Sequence, residues 1–318
     1  MPGVVLVVGS YNQDHVWTAD ELPAPGATRL GTYASGPGGK GFNQAVAAAR
    51  AGARTGFLTA LGEDAAAAGA RALAADEGIE LLAEVHPTLP SGTAGIFVDA
   101  SGRNVITVAP GANAALSPEF VRTARPAFAG ADVVLAQLEV APAAVHAALA
   151  LARETGAITI LNPAPANAPT TPALLALADI LTPNETEFAA LLARHAGQTV
   201  DAGSLHALDA VELHALCQSL HPATWVITLG GHGAFVSHAP GKDRGDGNLD
   251  YRVPAHAATP VDTTGAGDAF SGALAAALAA APEAPFRDAV AFAARFAARS
   301  TEHHGAALAM PRRAELDG

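Results

Sequence analysis

The 318-residue sequence predicts an α/β fold: a doubly wound, mostly parallel central sheet with helices on both faces, together with a small β-sheet lid. Three observations lead to this prediction. Short apolar runs of strand length recur along the chain, segments of helical length separate most of them, and two stretches contain strands with no helix between them. With 50% hydrophobic and 15% charged residues, the chain can bury a sizeable core. We expect residues 1–318 to form one domain, with the lid contributed by about residues 12–37 and 91–110.

Six apolar runs predict the strands of the central sheet. Each is rich in β-branched residues or leucine, and turn residues bound it. Uninterrupted apolar runs of this length are typical of strands buried on both faces of a parallel sheet. The runs are Val4–Gly9, Thr55–Ala60, Asp132–Gln137, Ala157–Leu161, Asp179–Thr182 and Thr224–Leu229.

The helices predicted between these strands have recognisable ends. Glycine directly after the last helical residue is typical of a left-handed C-terminal cap. Ser117 followed by Pro118 is typical of a helix start, with serine as the N-cap and proline at the first helical position. Three helices are predicted over Phe42–Ala51, Asp64–Glu77 and Ala141–Thr155, followed by Gly52, Gly78 and Gly156.

The predicted lid consists of strands alone. Thr28–Ser35, Thr93–Asp99 and Asn104–Val108 have strand character and no helix between them. A separate small sheet exposes its edges and one apolar face, so we expect it to cover a cleft or to pair with another subunit. A further polar stretch, Ser237–Asp250, is predicted to be a flexible loop within a β-hairpin at the end of the central sheet.

Charge and cysteine content exclude several classes of protein. The 18 basic and 30 acidic residues give a formal net charge of −12, which disfavours binding to nucleic acid or to an anionic membrane. A single cysteine, Cys217, excludes disulfide scaffolds and cysteine-rich metal sites. No apolar run reaches the roughly 20 residues of a membrane span, and the N-terminal residues lack the basic region of a signal peptide. We therefore expect a cytoplasmic protein.

The strongest functional motif is Asp262–Phe270, which precedes a helix of small residues extending to about Ala281. Successive backbone N–H groups at Gly265, Ala266 and Gly267 would form an anion hole for phosphate oxygens at the helix N-terminus. Asp268 falls in the first turn, where its carboxylate could take a proton from an attacking hydroxyl. The alternative is an aspartate that caps an ordinary helix, but two aspartates flanking one glycine turn favour phosphoryl transfer.

A second motif, Gly38–Ala45, combines glycines with hydrogen-bond donors at a predicted helix start. Glycines allow close backbone approach to a ligand, and Lys40 and Asn43 can donate to its hydroxyl groups. A loop that merely turns the chain is the alternative. Because Lys40 is one of only two lysines in the sequence, we favour the functional interpretation.

Polar residues also follow several predicted strands. Asn12 and Asp14 follow the first strand, and Glu139 and Asn162 follow two later ones. Ligands of parallel sheets bind beyond the carboxyl ends of the strands, so these side chains are candidates for binding a polar ligand. Taken singly each is a weak signal, and the first pair could equally form an Asx turn.

Asn184 and Glu187 allow two interpretations. The spacing is that of a capping box at a helix start, and oxygen ligands at the same spacing could orient a hydrated Mg²⁺. Local sequence does not separate the two. Elsewhere, the dinucleotide-binding glycine fingerprint, the Walker A motif and the serine-hydrolase motif are missing from the sequence.

Together the two glycine motifs resemble the ribokinase (PfkB) family of sugar kinases, over nearly the whole chain. They lie more than 200 residues apart and in the family's order. The segments Ser10–His15, Pro110–Pro118, Gln137–Glu139 and Leu161–Pro165 are closer to the ribose kinases of the family than to its adenosine or fructose-phosphate kinases. The resemblance implies ATP-dependent phosphorylation of a sugar primary hydroxyl, D-ribose to D-ribose 5-phosphate, with a nucleoside or another pentose or hexose as the alternative acceptor. A non-catalytic sugar or nucleotide sensor on the same fold is a further alternative.

The resemblance also implies a role for each motif residue. Asp268 would be the catalytic base and a sugar ligand, and Gly265, Ala266 and Gly267 the anion hole. Glu187 and Asn184 would organise Mg²⁺ through water. The remaining sugar-binding positions would be Asn12, Asp14, Gly39, Lys40, Asn43 and Glu139. The ATP-binding positions would be Asn184, Thr228, Gly230, Gly233 and Gly267.

A monovalent cation, K⁺, is implied near the second motif. Its ligands would come from Asp262, Thr264, Ser300, His303 and Gly305, while Ala309 stands where the family usually has a hydroxyl residue. The resemblance further implies a homodimer formed through the lid. The stretch 237–250 is longer than the family pattern suggests, which leaves the base preference open.

Overall fold

A computed structural model describes residues 2–316 of the protein, which form two separate β-sheets and ten α-helices. The strands are β1 Val4–Val8, β2 Asn12–Ala19, β3 Thr32–Gly38, β4 Arg54–Gly62, β5 Glu80–His86, β6 Gly92–Asp99, β7 Asn104–Ala109, β8 Val133–Ala136, β9 Ile158–Leu161, β10 Ile180–Leu181, β11 Thr224–Thr228, β12 Ala234–Ser237 and β13 Asp250–Val253. The helices are α1 Lys40–Arg50, α2 Ala65–Asp76, α3 Pro118–Thr123, α4 Arg125–Ala129, α5 Pro142–Thr155, α6 Pro172–Leu175, α7 Glu185–Leu191, α8 Ala210–Leu220, α9 Ala266–Ala280 and α10 Phe286–Ser300.

The central sheet has nine strands in the order β13-β12-β11-β10-β9-β8-β1-β4-β5. All neighbours are parallel except β11–β12 and β12–β13. All six strands predicted from apolar runs lie in this sheet, so the predicted fold class is confirmed. The edge strand β5 was not predicted, because half-exposed and polar residues interrupt its apolar character.

Successive side chains of the buried strands enter two different cores. On β1, Val5 and Val7 pack with α1, α2, α9 and α10, whereas Leu6 and Val8 pack with helices α3 to α8 on the other face. Each strand is therefore apolar throughout because both of its faces are buried. The three predicted helix ends are also confirmed, with Gly52, Gly78 and Gly156 at positive φ.

The second sheet has the order β3-β2-β6-β7 and lies apart from the central sheet. The sequence-based description of it was incomplete. Residues 12–19 form strand β2 rather than a turn, and β3 begins at Thr32 instead of Thr28. Polar residues at the start of β2 hid its strand character, since Asn12, Gln13 and Asp14 interrupt any apolar pattern.

The stretch 237–250 joins β12 to β13 as the predicted hairpin, but it is anchored rather than free. Asp246 is buried and accepts hydrogen bonds from His238 at 3.0 Å and from the backbone N–H of Arg287 at 2.8 Å. These contacts attach the loop to the start of α10. The prediction of a flexible loop, made from its polar sequence, is therefore corrected to a loop anchored at Asp246. Among residues 2–316, no helix is long and apolar enough to cross a membrane.

Candidate active site

The predicted site residues converge on the carboxyl edge of the central sheet. Parallel strands present their carboxyl ends at one edge, and the order of this sheet changes direction at β1 and β8, where ligands of such sheets bind. Asn12 and Asp14 lie beyond β1, Glu139 lies beyond β8, Asn184 follows β10 and Thr228 ends β11.

Asp268 forms the floor of the site in the first turn of α9. Its side chain is buried, with Oδ2 accepting from Asn43 Nδ2 and Oδ1 accepting from Gln44 Nε2, both at 2.9 Å. Burial raises the pKa of Asp268, while the charge of Lys40 and the two amide hydrogen bonds act in the opposite direction. The second motif thus contacts the first directly, across more than 200 residues of sequence.

Close packing of α1 against α9 creates this contact. At Gly272 an added Cβ would stand 2.4 Å from the carbonyl oxygen of Gln44 and 2.6 Å from Cβ of Ala47. Only a residue without a side chain allows the two helices to approach so closely. The small residues that follow both motifs are therefore required for Asn43 and Gln44 to reach Asp268.

The side of the site that faces the lid carries two further carboxylates. Asp14 lies on β2 against Gly38, and its pKa is raised to about 7 by burial and by the charges of Glu139 and Asp268. Glu139 Oε2 accepts from Ser10 Oγ at 2.6 Å and from the backbone N–H of Lys40 at 3.1 Å. Three acidic side chains on different elements therefore act on one another at this site.

Lys40 is the cation among these acids. Burial alone would lower the pKa of its ammonium group, yet Asp268, Glu139 and a third carboxylate, Glu187, together raise it. The residue before it, Gly39, has φ of 87°, and an added Cβ there would stand 2.7 Å from the amide nitrogen of Asn12. Lys40 therefore remains charged where α1 meets the lid.

Asn43 has one unused hydrogen-bonding atom in the site. Its Nδ2 donates to Asp268, and its buried Oδ1 has no partner among the described residues. An unsatisfied acceptor in this position costs free energy unless a ligand donates to it. A sugar hydroxyl would supply that hydrogen bond.

Two connected cavities meet at the start of α9. The smaller one, about 120 Å³, is polar and is lined by Lys40, Glu187, Asp268 and residues 265–267. The larger one, about 630 Å³, shares Asn184, Thr228, Thr263, Ala266 and Gly267 with it. The larger cleft has the size of a small-molecule or cofactor site, and it adjoins the smaller cavity, which Asp268 lines.

The glycine turn lies between the two cavities. Gly265 is the N-cap of α9, and the N–H of Ala266 donates to the carbonyl of Thr263 at 3.2 Å. The α9 dipole places partial positive charge at this turn. The helix start is thus directed at the junction where a phosphate would lie between nucleotide and acceptor.

Asn184 and Glu187 form the capping box, with Asn184 Oδ1 accepting from the Glu187 N–H at 2.8 Å and Glu187 Oε2 accepting from the Asn184 N–H at 2.9 Å. Both residues also line the polar cavity. One buried carboxylate there fits Mg²⁺, which binds through few protein ligands together with substrate phosphates and water. Since its Oδ1 is engaged in the cap, Asn184 offers its amide N–H groups to a phosphate or a water.

Three of the residues predicted to bind ATP, Thr228, Gly230 and Gly233, line the larger cleft. Thr228 ends β11, and Gly230 and Gly233 form the tight turn that follows. The opposite wall consists of small side chains of α10, including Ala294 and Ala297. The cleft therefore combines a glycine turn with an apolar wall, which suits a planar base.

The residues predicted to bind K⁺ gather only partly. Asp262 Oδ1 accepts from the Thr264 N–H and Oδ2 from the Gly305 N–H, each at 2.9 Å. Burial would raise the pKa of Asp262, but these hydrogen bonds lower it, with the charge of His304 adding to the effect. Ser300, at the end of α10, donates to its own helix at the Ala297 carbonyl. The cation site therefore remains a prediction.

Two side chains at the site were not among the predicted site residues. Gln44 binds the carboxylate of Asp268, and Asn113 binds Asn12 at 2.9 Å as well as the backbone of Tyr11. Both belong to segments used for the family resemblance. The rarity of asparagine, eight residues in 318, could have drawn attention to Asn113.

Comparison with known proteins agrees with this geometry. The model of the pfkB family carbohydrate kinases matches residues 4–313. A ribokinase of Haemophilus influenzae is 37% identical over 320 residues, covering 99% of this chain and 97% of the relative. Among solved structures, Giardia lamblia ribokinase superposes with a TM-score of 0.86 at 27% identity, covering 100% of this chain and 98% of that one. Arabidopsis thaliana ribokinase complexed with ribose and ATP superposes with a TM-score of 0.84 at 28% identity, covering 99% and 97%.

The residues matched by the family model include both motifs on which the sequence resemblance rests, Gly38–Ala45 and Asp262–Phe270. The relatives align along nearly the whole chain rather than at isolated motifs. The resemblance is confirmed, and the chain belongs to the pfkB family of carbohydrate kinases.

Proposed function

We propose that the protein transfers the γ-phosphoryl group of ATP to the primary hydroxyl of a sugar, converting D-ribose to D-ribose 5-phosphate. One observation carries the proposal: the buried carboxylate of Asp268 lines a polar pocket, and this pocket shares the start of α9 with a cleft of nucleotide size. Relatives named as ribokinases, one of them complexed with ribose and ATP, support the choice of substrates.

The sugar hydroxyl oxygen attacks the γ-phosphorus, the bond to the β-phosphate oxygen breaks and ADP leaves. Asp268 accepts the hydroxyl proton as the new phosphorus–oxygen bond forms. Backbone N–H groups of Gly265 and Gly267, with Lys40, would stabilise negative charge on the transferred group. The N–H of Ala266 would join them by turning from the Thr263 carbonyl to the phosphate. Phosphoryl transfer needs alignment and charge neutralisation more than covalent help, and these residues supply both.

Mg²⁺, when bound, would neutralise part of the negative charge of the phosphates. Glu187 would hold it through water, and Asn184 would donate to a phosphate or to that water. On the nucleotide side, Thr228, Gly230 and Gly233 would cradle the remaining phosphates and the ribose of ATP.

The acceptor would lie between the lid and Asp268. Carboxylates at Asp14 and Glu139 accept from vicinal hydroxyl groups, while Asn12 and the Asn43 Oδ1 supply further polar contacts. Lys40 and the backbone at Gly39 close the site beside them. This concentration of acceptors favours a polyhydroxylated sugar.

K⁺ binding is part of the proposal. The carboxylate of Asp262 and the backbone around Thr264, His303 and Gly305 would surround the ion, with Ser300 nearby. Ala309 supplies no side-chain oxygen, so we expect partial rather than absolute dependence on the ion. Titrating KCl into an assay in sodium-free, potassium-free buffer measures that dependence, and equal activity with and without the ion would contradict the assignment.

We also propose that residues 1–318 act as one kinase domain whose lid, residues 12–37 and 91–110, covers the sugar and pairs with the lid of a second copy. Exposed apolar side chains on the lid, including Ile106 and Val108, support this pairing. An acceptor buried under a lid is shielded from water, which limits hydrolysis of ATP.

An ADP-release assay with ribose, deoxyribose, fructose, adenosine and inosine tests the acceptor. We expect the highest kcat/KM with ribose, and mass and phosphorus NMR spectra of the product that identify a 5-phosphate. Turnover of a nucleoside with none of ribose would favour a nucleoside kinase. Binding of ribose and ATP without any turnover would favour a sensor.

A further inference from the structure

Behind the floor of the site lies a chain of three buried side-chain amides. Gln137, after β8, donates from Nε2 to Gln44 Oε1 at 2.5 Å. Gln44 Nε2 donates to Asp268 Oδ1 at 2.9 Å and to Asn162 Oδ1 at 3.0 Å. Gln44 and Gln137 are fully buried and Asn162 is 5% exposed, so water does not compete for these contacts.

One backbone carbonyl fixes the direction of every hydrogen bond among these amides. Asn162 Nδ2 donates to the carbonyl of Thr182 at 2.7 Å, and a carbonyl can only accept. Asn162 must therefore present Oδ1 to Gln44, and Gln44 must present its NH₂ group to both Asn162 and Asp268. The opposite orientation of Gln44 would place two acceptors against each other.

We propose that Gln44 is a positioning residue for phosphoryl transfer: locked by Gln137 and Asn162, it holds the Asp268 carboxylate in one orientation and in its ionised form. This inference rests on the function proposed above. Asn43 holds the second oxygen of the same carboxylate, so two amides on one turn of α1 fix both oxygens. The carboxylate also lines the polar pocket where the sugar hydroxyl would lie.

Charged groups on four elements also act at this site. Lys40 on α1 favours the ionised form of Asp268, and Glu139 beyond β8 opposes it. Asp14 on β2 and Glu187 on α7 are the other acids whose charges interact with Asp268. Because the acids outnumber Lys40, the donated N–H of Gln44 is needed to keep a buried carboxylate ionised at neutral pH.

Gln44→Leu tests the proposal, with kcat and KM for ribose measured between pH 5 and 9. We expect kcat to fall by about 10- to 100-fold with little change in KM, because the base is misplaced while sugar contacts persist. The acidic limb of the kcat profile should move upward by about 1 pH unit, since the ionised base loses one hydrogen bond. Gln218→Leu, which removes a glutamine that donates to Ser237 and His238 far from the site, is the matched control and should leave the limb in place.

Gln44→Glu is a second variant of nearly the same shape, useful if the leucine variant does not fold. A second carboxylate beside Asp268 should move the acidic limb further upward. An unmoved limb in the folded variants, or an equal shift in the Gln218→Leu control, would overturn the inference even if kcat falls. Failure of the unaltered protein to phosphorylate any sugar would instead overturn the proposed function.

Discussion

The floor of the pocket and the lid sheet hold their side chains in opposite ways. On the floor, Asp268 is buried and each of its oxygens accepts from an amide that is itself held in place. On the lid, Trp17 stacks on Phe97 and packs at a tilt against Tyr33, yet the three side chains remain 40–55% exposed. The side chains on the floor are thus fixed before a substrate binds, whereas the aromatic side chains of the lid have exposed surface that can make further contacts. The catalysis proposed above depends on the first property, whereas the aromatic cluster lies on the face of β2 opposite Asp14.

Two small polar clusters join these regions. Asn113 exchanges hydrogen bonds with the backbone of Tyr11, at 3.1 and 2.8 Å, where the chain first leaves β1 for the lid. Asp64 accepts from the N–H and hydroxyl of Ser91, at 2.7 and 2.8 Å, where the chain enters the lid again. The lid is therefore anchored at its base and free at its far edge, and perturbing each region should produce a different kinetic effect.

The largest effect is expected from the floor. Asp268→Asn keeps the shape of the side chain but removes the proton acceptor, so kcat should fall by about 10³-fold or more, while ribose binding measured by calorimetry persists. Asp288→Asn, in the first turn of the neighbouring helix α10, is the control for loss of an acidic group at a helix start. Turnover near the level of the unaltered protein in Asp268→Asn would remove the base from the mechanism.

A smaller effect is expected where floor and lid meet. Burial and neighbouring carboxylates raise the pKa of Asp14 to about 7, so the residue loses its proton only as pH rises through neutrality. An ionised Asp14 accepts from sugar hydroxyls, and KM for ribose should therefore fall about tenfold between pH 6 and pH 8.

Asp14→Asn should raise KM at pH 8 and remove its pH dependence, with kcat changing less. Asp20→Asn, just beyond the far end of the same strand, is the matched control. A KM that stays constant across this range in the unaltered protein would contradict the assigned ionisation.

The same difference between the two regions explains which elements could be predicted from the sequence. Runs such as Val4–Val8 were predicted because burial on both faces leaves an uninterrupted apolar pattern. Strand β2 escaped prediction because the residues of its first half serve the pocket and not a core. The elements of the large sheet follow from local pattern, and those of the lid follow from tertiary context.

Within the site, the two motifs predicted the residues that would carry the reaction, but not the side chains that hold those residues in place. Lys40, Asn43 and Asp268 could be identified because each belongs to a local glycine-rich motif. The amides of Gln137 and Asn162 lie 93 and 118 residues from Gln44, and no local pattern links them. Side chains that act by holding another side chain need the fold before their role can be seen.

A smaller change in KM than that expected at Asp14 is predicted when the attachment of the lid at Asn113 is weakened. Asn113→Ala removes three buried hydrogen bonds, including the one from Nδ2 to Asn12 Oδ1, and should lower the free energy of unfolding by about 2–4 kcal/mol. Because the start of β2 then moves relative to the floor, KM for ribose should rise several-fold while kcat changes less.

Asn104→Ala, at an exposed position on β7, controls for loss of an asparagine in the lid region. Thermal unfolding and initial rates at varied ribose concentration measure both quantities. A drop in kcat with unchanged KM would mean that Asn113 acts on the floor instead of the lid.

The smallest effect on turnover is expected at β7, the edge strand of the lid sheet. Ile106 pairs with Ile96 on the face that also carries Asp14, and it is 52% exposed in a single chain. Ile106→Glu would place a charge in the proposed contact between two lids, weakening the dimer by about tenfold or more in Kd while kcat at high protein concentration changes little.

Thr107→Glu, on the opposite face of the same strand, should leave the dimer intact. Light scattering coupled to gel filtration gives the mass of each variant, and a monomeric mass for the unaltered protein at micromolar concentration would show that the exposed face of the lid serves closure alone.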